Sequence, residues 1–236
     1  MSEGQTGQIV SVSPHDGQWV KLLEGMATGE VQLKTRANLI HSGDTCENLY
    51  YLRSGWVYRY QLLSDGRKQI FCFFTAGDLV SPSLLFSAYS HYSVATLVAG
   101  TALVIHRDAL LTAMTHEPVA MTAIMKMMAY RQRYMDERMV ELGRLTAYER
   151  MCVLICRLAN RLSPTNHVIK VPLTRDLISD ALGITPVHVS RTLKVLEDEN
   201  AVCWTRQGLE ILDLDKIRAA VPRNFMVHGT EQPFLL

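Results

Sequence analysis

The run LTRDLISDALGITPVHVSRTLKVLEDENAV, Leu173–Val202, decides the fold of this chain. Thr174 stands where a helix N-cap is needed, and Leu177, Ile178, Ala181 and Leu182 follow at helical spacing. Gly183 supplies the backbone freedom of a sharp turn. Thr185 caps a second helix with Pro186 at its first position, where a missing N–H costs nothing. Val189, Leu193 and Leu196 share one face of that helix, while His188, Ser190, Arg191 and Lys194 lie off it. Two short helices joined by a tight glycine turn, the second with an exposed polar edge, form the helix-turn-helix device that lays its second helix in the major groove of double-stranded DNA.

Around this run the chain divides readily. After Asn200 come two β-prone stretches, Ala201–Thr205 and Leu209–Leu212, with a turn at Gln207-Gly208, which predict a β-wing. Residues 213–220 predict a last short helix. Upstream, TAYERMCVLICRLANRL from Thr146 predicts a helix that ends before Ser163-Pro164. Pro118 opens a longer one to about Arg144, in which Met121, Met128, Met135 and Leu142 are spaced seven apart, with Ile124, Met125 and Met139 beside them. A heptad seam needs a partner seam, either the same helix of a second subunit or the helix's own domain. Arg131 and Arg138 interrupt the inner flank.

Between about Val31 and Arg107 the pattern is β. Gly43, Gly55, Gly66 and Gly77 recur at intervals of 12, 11 and 11 residues, with short β-prone runs at Leu49–Leu52, Val57–Leu63, Gln69–Phe74, Val94–Val98 and Ala102–His106. Asp65-Gly66 is a hairpin signal. The expected fold class is α+β: an N-terminal antiparallel β-barrel or jelly roll, a long dimerisation helix and a C-terminal winged helix-turn-helix. The expected domains are residues 1–117, 118–144 and 145–222, with a tail at 223–236. A short helix, Trp19–Met26, precedes the barrel.

Composition bounds the function. Apolar residues make up 48% of the 236 and charged residues 20%, an ordinary globular balance. The net charge is +1, divided as −1 over residues 1–143 and +2 over the rest, so DNA binding must rest on local geometry. No apolar run approaches the roughly 18 residues of a membrane span, and the N-terminus lacks a secretory pattern. Five cysteines without a CxxC pair fit a reducing cytoplasm. A cupin-like jelly-roll enzyme is the competing class, but His41, His91 and His106 of the β region form no HxH motif, and no nucleophile–base motif or phosphate loop appears. No metal and no cofactor are expected.

The order of elements resembles the Crp/Fnr family of bacterial transcription regulators. The resemblance covers about residues 20–220 and is carried by Gly43-Asp44, LYYLRSGWV (Leu49–Val57), SDGRKQI (Ser64–Ile70), FFTAGDL (Phe73–Leu79) and the helix-turn-helix run. It implies a homodimer that reads a two-fold symmetric DNA site and contacts RNA polymerase. Arg191 matches an arginine with which the family reads guanine. Ser190 and His188 are candidate contacts to a base or phosphate. The Thr185 N–H can meet a phosphate, and Arg175, Lys194 and Thr174 are candidate backbone contacts. Pro186 and Val187 depart from the best-known members, which carry a charged residue at one of these positions. Val187 is left with apolar contact, such as a thymine methyl.

The family's cyclic-nucleotide pocket takes a glutamate and an Arg-Ser pair from the segment that here reads GDLVSPSLLFSAYSHYSVAT. Pro82 stands at the glutamate position and His91 or Tyr92 at the arginine position, followed by Ser93. A proline side chain accepts no hydrogen bond and a neutral ring cannot replace a guanidinium clamp, so cyclic AMP binding by the usual mode is not expected. Ser81, Ser83, His91, Tyr92 and Ser93 remain candidates to line a pocket for an unknown small molecule. Residues 1–45 contain no cysteine, which removes the family's iron–sulfur mode. His91, His106 and His116 leave haem open without a motif favouring it. Cys152 and Cys156, one helical turn apart, read as a redox pair or as small core residues, and Cys203 as a wing thiol open to oxidation. The pattern resembles the FixK-like branch, whose members lack evident effector residues.

Overall fold

A computed structural model of the protein describes residues 17–162, 169–206, 208–222 and 225. Residues 1–16, residues 163–168 with the expected helix stop at Ser163-Pro164, Gln207 of the wing turn and most of the C-terminal tail lie outside the described residues. The chain runs through α1 (Gly17–Met26), β1 (Ala27–Leu33), β2 (Asn38–Ile40), β3 (Asn48–Leu52), β4 (Trp56–Leu62), β5 (Lys68–Phe74), β6 (Leu79–Val80), a 3₁₀ turn at Pro82–Phe86, β7 (Ser93–Val98) and β8 (Gly100–His106). It continues with α2 (Arg107–His116), α3 (Pro118–Arg144), α4 (Ala147–Arg161), β9 (Ile169–Val171), α5 (Arg175–Leu182), α6 (Pro186–Asp198), β10 (Val202–Thr205), β11 (Gly208–Ile211) and α7 (Leu214–Ala219).

The β region is a jelly roll of two four-stranded antiparallel sheets, ordered β1-β8-β3-β6 and β2-β7-β4-β5. It is not a closed barrel. The outermost strands include β2 with three residues and β6 with two, too few ladder bonds to join one sheet to the other. Close approach fixes one corner: a side chain on Gly55 would begin 2.6 Å from the Val98 carbonyl oxygen. Between the sheets lie Leu33, Leu52, Val57, Cys72, Phe74, Val80, Leu84 and Val94. A second core forms where Trp19 and Leu23 of α1 and Leu110 of α2 pack with Ala120, Ile124 and Met127 of α3 against Leu49, Leu103 and Ile105.

The third core spans the two halves of the molecule. Tyr58, Tyr60, Ile70 and Phe73, on β4 and β5, pack with Met151, Ile155 and Leu158 of α4, Ile178 and Leu182 of α5, and Val189, Leu193 and Leu196 of α6. Alternation along β4 produces this: Val57 faces the space between the sheets and its neighbours Tyr58 and Tyr60 face the helices. Cys152 and Cys156 are buried in this core. Burial pushes the Cys152 thiol up to about 12 and the Cys156 thiol to about 11, so both are protonated, poorly nucleophilic core residues at neutral pH. Cys203 on β10 is exposed.

Candidate nucleic-acid interface

The helix-turn-helix forms as its local chemistry dictates. The Thr174 side chain accepts from the Leu177 N–H and caps α5; the Thr185 side chain accepts from the His188 N–H and caps α6. Gly183 ends α5 at φ +65°, the left-handed conformation that lets the chain turn at once. The buried Ser179 hydroxyl donates across the turn to the Ile184 carbonyl. Val189, Thr192, Leu193 and Leu196 anchor the inner face of α6.

The outer face of α6 presents Val187, Ser190, Arg191 and Lys194 at helical spacing, all exposed. Their conditions differ. Lys194 ion-pairs with Asp198 at 2.6 Å, and Glu197 accepts the Trp204 backbone N–H at 3.0 Å. No acid stands at the i±3 or i±4 positions of Arg191, which are Val187, His188, Lys194 and Val195, and among the described residues Arg191 has no ion pair. The Ser190 hydroxyl donates back to the Pro186 carbonyl at 3.0 Å, which leaves its lone pairs outward as acceptors. His188 and Pro186 are exposed at the start of the helix. Arg175, at the start of α5, lies 4.9 Å over the Trp204 ring, which ties it to the wing. The wing is a three-stranded sheet, β10-β11-β9, closed on its far side by Ile169–Val171, with Arg206 exposed at its tip.

Three side chains from outside the motif hold α5 by its C-terminal carbonyls. Gln69 Nε2 on β5 donates to Asp180 O at 3.0 Å and Ala181 O at 3.2 Å. Arg138 Nη2 on α3 donates to Ala181 O at 2.6 Å, and Arg150 Nη1 on α4 to Leu182 O at 3.1 Å. These carbonyls have no partner within their helix, and two cations sit at the negative end of its dipole. Arg138 is in turn paired with the fully buried Glu141 at 2.6 Å, and Glu141 also ion-pairs with the buried Arg157. Arg157 reaches Glu137 at 2.9 Å and stacks 4.9 Å over Tyr134. A buried ionic network thus joins the long helix to the recognition unit. Arg138, read from sequence as an interruption of a seam, is the member of it that reaches α5.

The long helix α3 leaves an apolar stripe open. Met121, Met125, Met139, Val140 and Leu142 are exposed, from 41% for Met121 and Leu142 to 74% for Met139. Met128 and Met135 are half-buried at the edge of this stripe. Ile124 corrects the expected seam: it is fully buried against the chain's own jelly roll, because it lies on the face of α3 that also carries Ala120, Ala123 and Met127. The open face is rotated away from Ile124, toward Met125 and Met139.

The residues expected to line a pocket part company. His91 is exposed, and the Ser93 hydroxyl accepts from the Ser42 N–H at 3.0 Å. Ser83 and Tyr92 share a hydroxyl hydrogen bond at 3.1 Å, and the Ser81 hydroxyl is buried with no partner among the described residues. His106 caps α2 by accepting from the Asp108 N–H, and His116 meets Thr112 and Thr115 of its own helix.

Comparison with known proteins places these features together. Residues 30–117 match the cyclic nucleotide-binding domain family and residues 149–220 the Crp-like helix-turn-helix domain family. The nitrogen fixation regulation protein FixK of Bradyrhizobium diazoefficiens is 27% identical over 75% of each chain. FixK of Azorhizobium caulinodans is 34% identical over 66% of this chain and 64% of its own. The structure of FixK2 from Bradyrhizobium japonicum superposes with a TM-score of 0.75 at 26% identity, covering 82% of this chain and 97% of that one.

Proposed function

This chain is a DNA-binding transcription regulator of the Crp/Fnr family, related to the FixK regulators, and we propose that it acts as a homodimer on a palindromic site without cyclic AMP. The observation that carries the DNA contact is Arg191, exposed on the outer face of α6 with no acid at its helical neighbour positions and no ion pair among the described residues. Its guanidinium fork matches guanine O6 and N7. Val187 offers a methyl surface and Ser190 an acceptor. Thr174, Arg175, Thr185, His188 and Lys194 position the duplex, and Arg206 joins them from the wing. The function is recognition rather than catalysis, with RNA polymerase the macromolecular partner at the bound site.

Dimerisation through α3 would cover the exposed methionine face. Met139→Glu, at the most exposed apolar position, should shift the protein toward monomer in sedimentation and weaken binding to a palindromic duplex at least about tenfold, because a carboxylate in an apolar seam is desolvated without a partner. An unchanged dimer would place the interface elsewhere.

Cyclic AMP should give no saturable heat in calorimetry. Pro82 is buried and its side chain has no acceptor for a ribose hydroxyl, and Tyr92 hydrogen-bonds to Ser83 where a phosphate clamp would be needed. Micromolar binding would overturn this reading.

A further inference from the structure

Inside the jelly roll lies a cation with no counter-ion among the described residues. Arg59 on β4 is 1% exposed, flanked on its sheet by Cys72 of β5 and Val94 of β7. Its guanidinium stands 4.6 Å from the Tyr92 ring and 5.5 Å from the Phe71 ring. Nε and Nη1 are both buried, and neither has a hydrogen-bond partner among the described residues. No carboxylate among the described residues pairs with it. The same molecule shows how it treats other buried arginines: Arg138 pairs with Glu141, Arg157 with Glu137 and Glu141, and Arg161 with Asp78. Arginine keeps its charge in proteins, so burial without an anion is costly, and two ring faces offset only part of that cost.

We propose that Arg59 is the receptor for a small organic carboxylate held between the two sheets. The surroundings specify the class. Phe71, Tyr92, Val57, Phe74 and Val94 make an apolar, aromatic environment that suits a flat hydrocarbon body. The guanidinium supplies the single positive charge that one carboxylate neutralises. The Ser83–Tyr92 hydroxyl pair lies at the edge of the ring on which Arg59 stacks, and can turn toward a second carboxylate oxygen. The arginine comes from β4, not from the segment after the Gly77-Asp78 turn that carries the cyclic-nucleotide clamp in the wider family. Arg59 also stands between Tyr58 and Tyr60, which pack on the recognition unit, and the β4–β5 register shifts between Arg59 and Tyr60. An anion here is therefore one strand away from the DNA-binding domain.

The test uses the full chain, with sodium benzoate and sodium acetate as probes against sodium chloride at equal ionic strength, read by calorimetry and thermal melting. Benzoate should bind saturably and raise the melting temperature, with acetate about tenfold weaker for want of a ring. Arg59→Met should lose the benzoate response and, freed of an unpaired charge, should melt no lower than the wild type without benzoate. Arg59→Lys keeps the charge without the fork, and should bind benzoate about tenfold more weakly; it serves if the methionine variant fails to fold. The proposal is overturned if neither carboxylate acts differently from chloride on the wild type, if benzoate binding survives in both variants, or if cyclic AMP competes with benzoate as the tighter ligand.

Discussion

Arg191→Ala should leave a folded protein that no longer tells its own site from scrambled DNA. The side chain is exposed and has no ion pair among the described residues, so its loss should change stability by no more than about 0.5 kcal/mol. A bidentate contact to guanine is worth about 1–3 kcal/mol of discrimination, and a symmetric dimer makes it twice, so the loss should be roughly 2–6 kcal/mol. Competition between a palindromic and a scrambled duplex, at one fixed salt concentration, measures it. Arg191→Lys should fail almost as badly, because it keeps the charge and loses the fork. Lys194→Ala should weaken both duplexes alike, since its charge is already shared with Asp198 and a phosphate contact carries no sequence information. A specificity ratio unchanged in Arg191→Ala would remove this residue from the interface.

Glu141→Ala should be the most damaging single substitution in the long helix. Glu141 is fully buried and balances two arginines, Arg138 and Arg157, that are themselves buried. Removing one member of a buried ionic network strands the remaining charges, at a cost of about 3–5 kcal/mol. Glu137 keeps a hold on Arg157 but Arg138 would face α5 with only the Ala181 carbonyl. Denaturant unfolding should show the loss as a lower midpoint. Replacing all three charges together, by Arg138→Met, Glu141→Leu and Arg157→Met, should cost less than Glu141→Ala alone, since no buried ion is then left unpaired and Glu137, which loses Arg157, is partly exposed and keeps Arg133 at 4.0 Å. A Glu141→Ala protein as stable as the wild type would mean that the network contributes nothing. Because Arg138 also caps α5, the unit that places α6, Glu141→Ala should further weaken DNA binding even where the chain stays folded.

How much of this was legible beforehand follows from range. The helix-turn-helix was readable because its determinants are local: two threonine caps, one glycine at positive φ and apolar residues at helical spacing. The hairpin at Asp65-Gly66 and the strands β3, β4, β5, β7 and β8 were readable for the same reason, whereas β6, two residues long, was not. β1 and β9 were not. β1 carries Gly29 and Glu30 and is mostly exposed, and β9 has three residues whose pairing depends on β11, some forty positions later. The methionine heptads correctly marked a long helix, but periodicity alone cannot say which edge of a stripe faces inward. Ile124 and Met125 are neighbours in sequence and opposite in burial. The roles of Gln69, Arg138 and Arg59 depend wholly on tertiary contacts. Nothing near Gln69 points to a helix end more than a hundred residues away, and Arg59 looks like any strand cation until its missing partner is noticed.

The most direct measurement is selection of bound sequences from random duplexes by the purified full-length protein without added ligand. Two copies joined along the open face of α3 should recover an inverted repeat, with half-site centres about 10 base pairs, one helical turn, apart and a guanine at a fixed place in each half. Recovery of a single unrepeated element, or of no preferred sequence at all, would contradict the account.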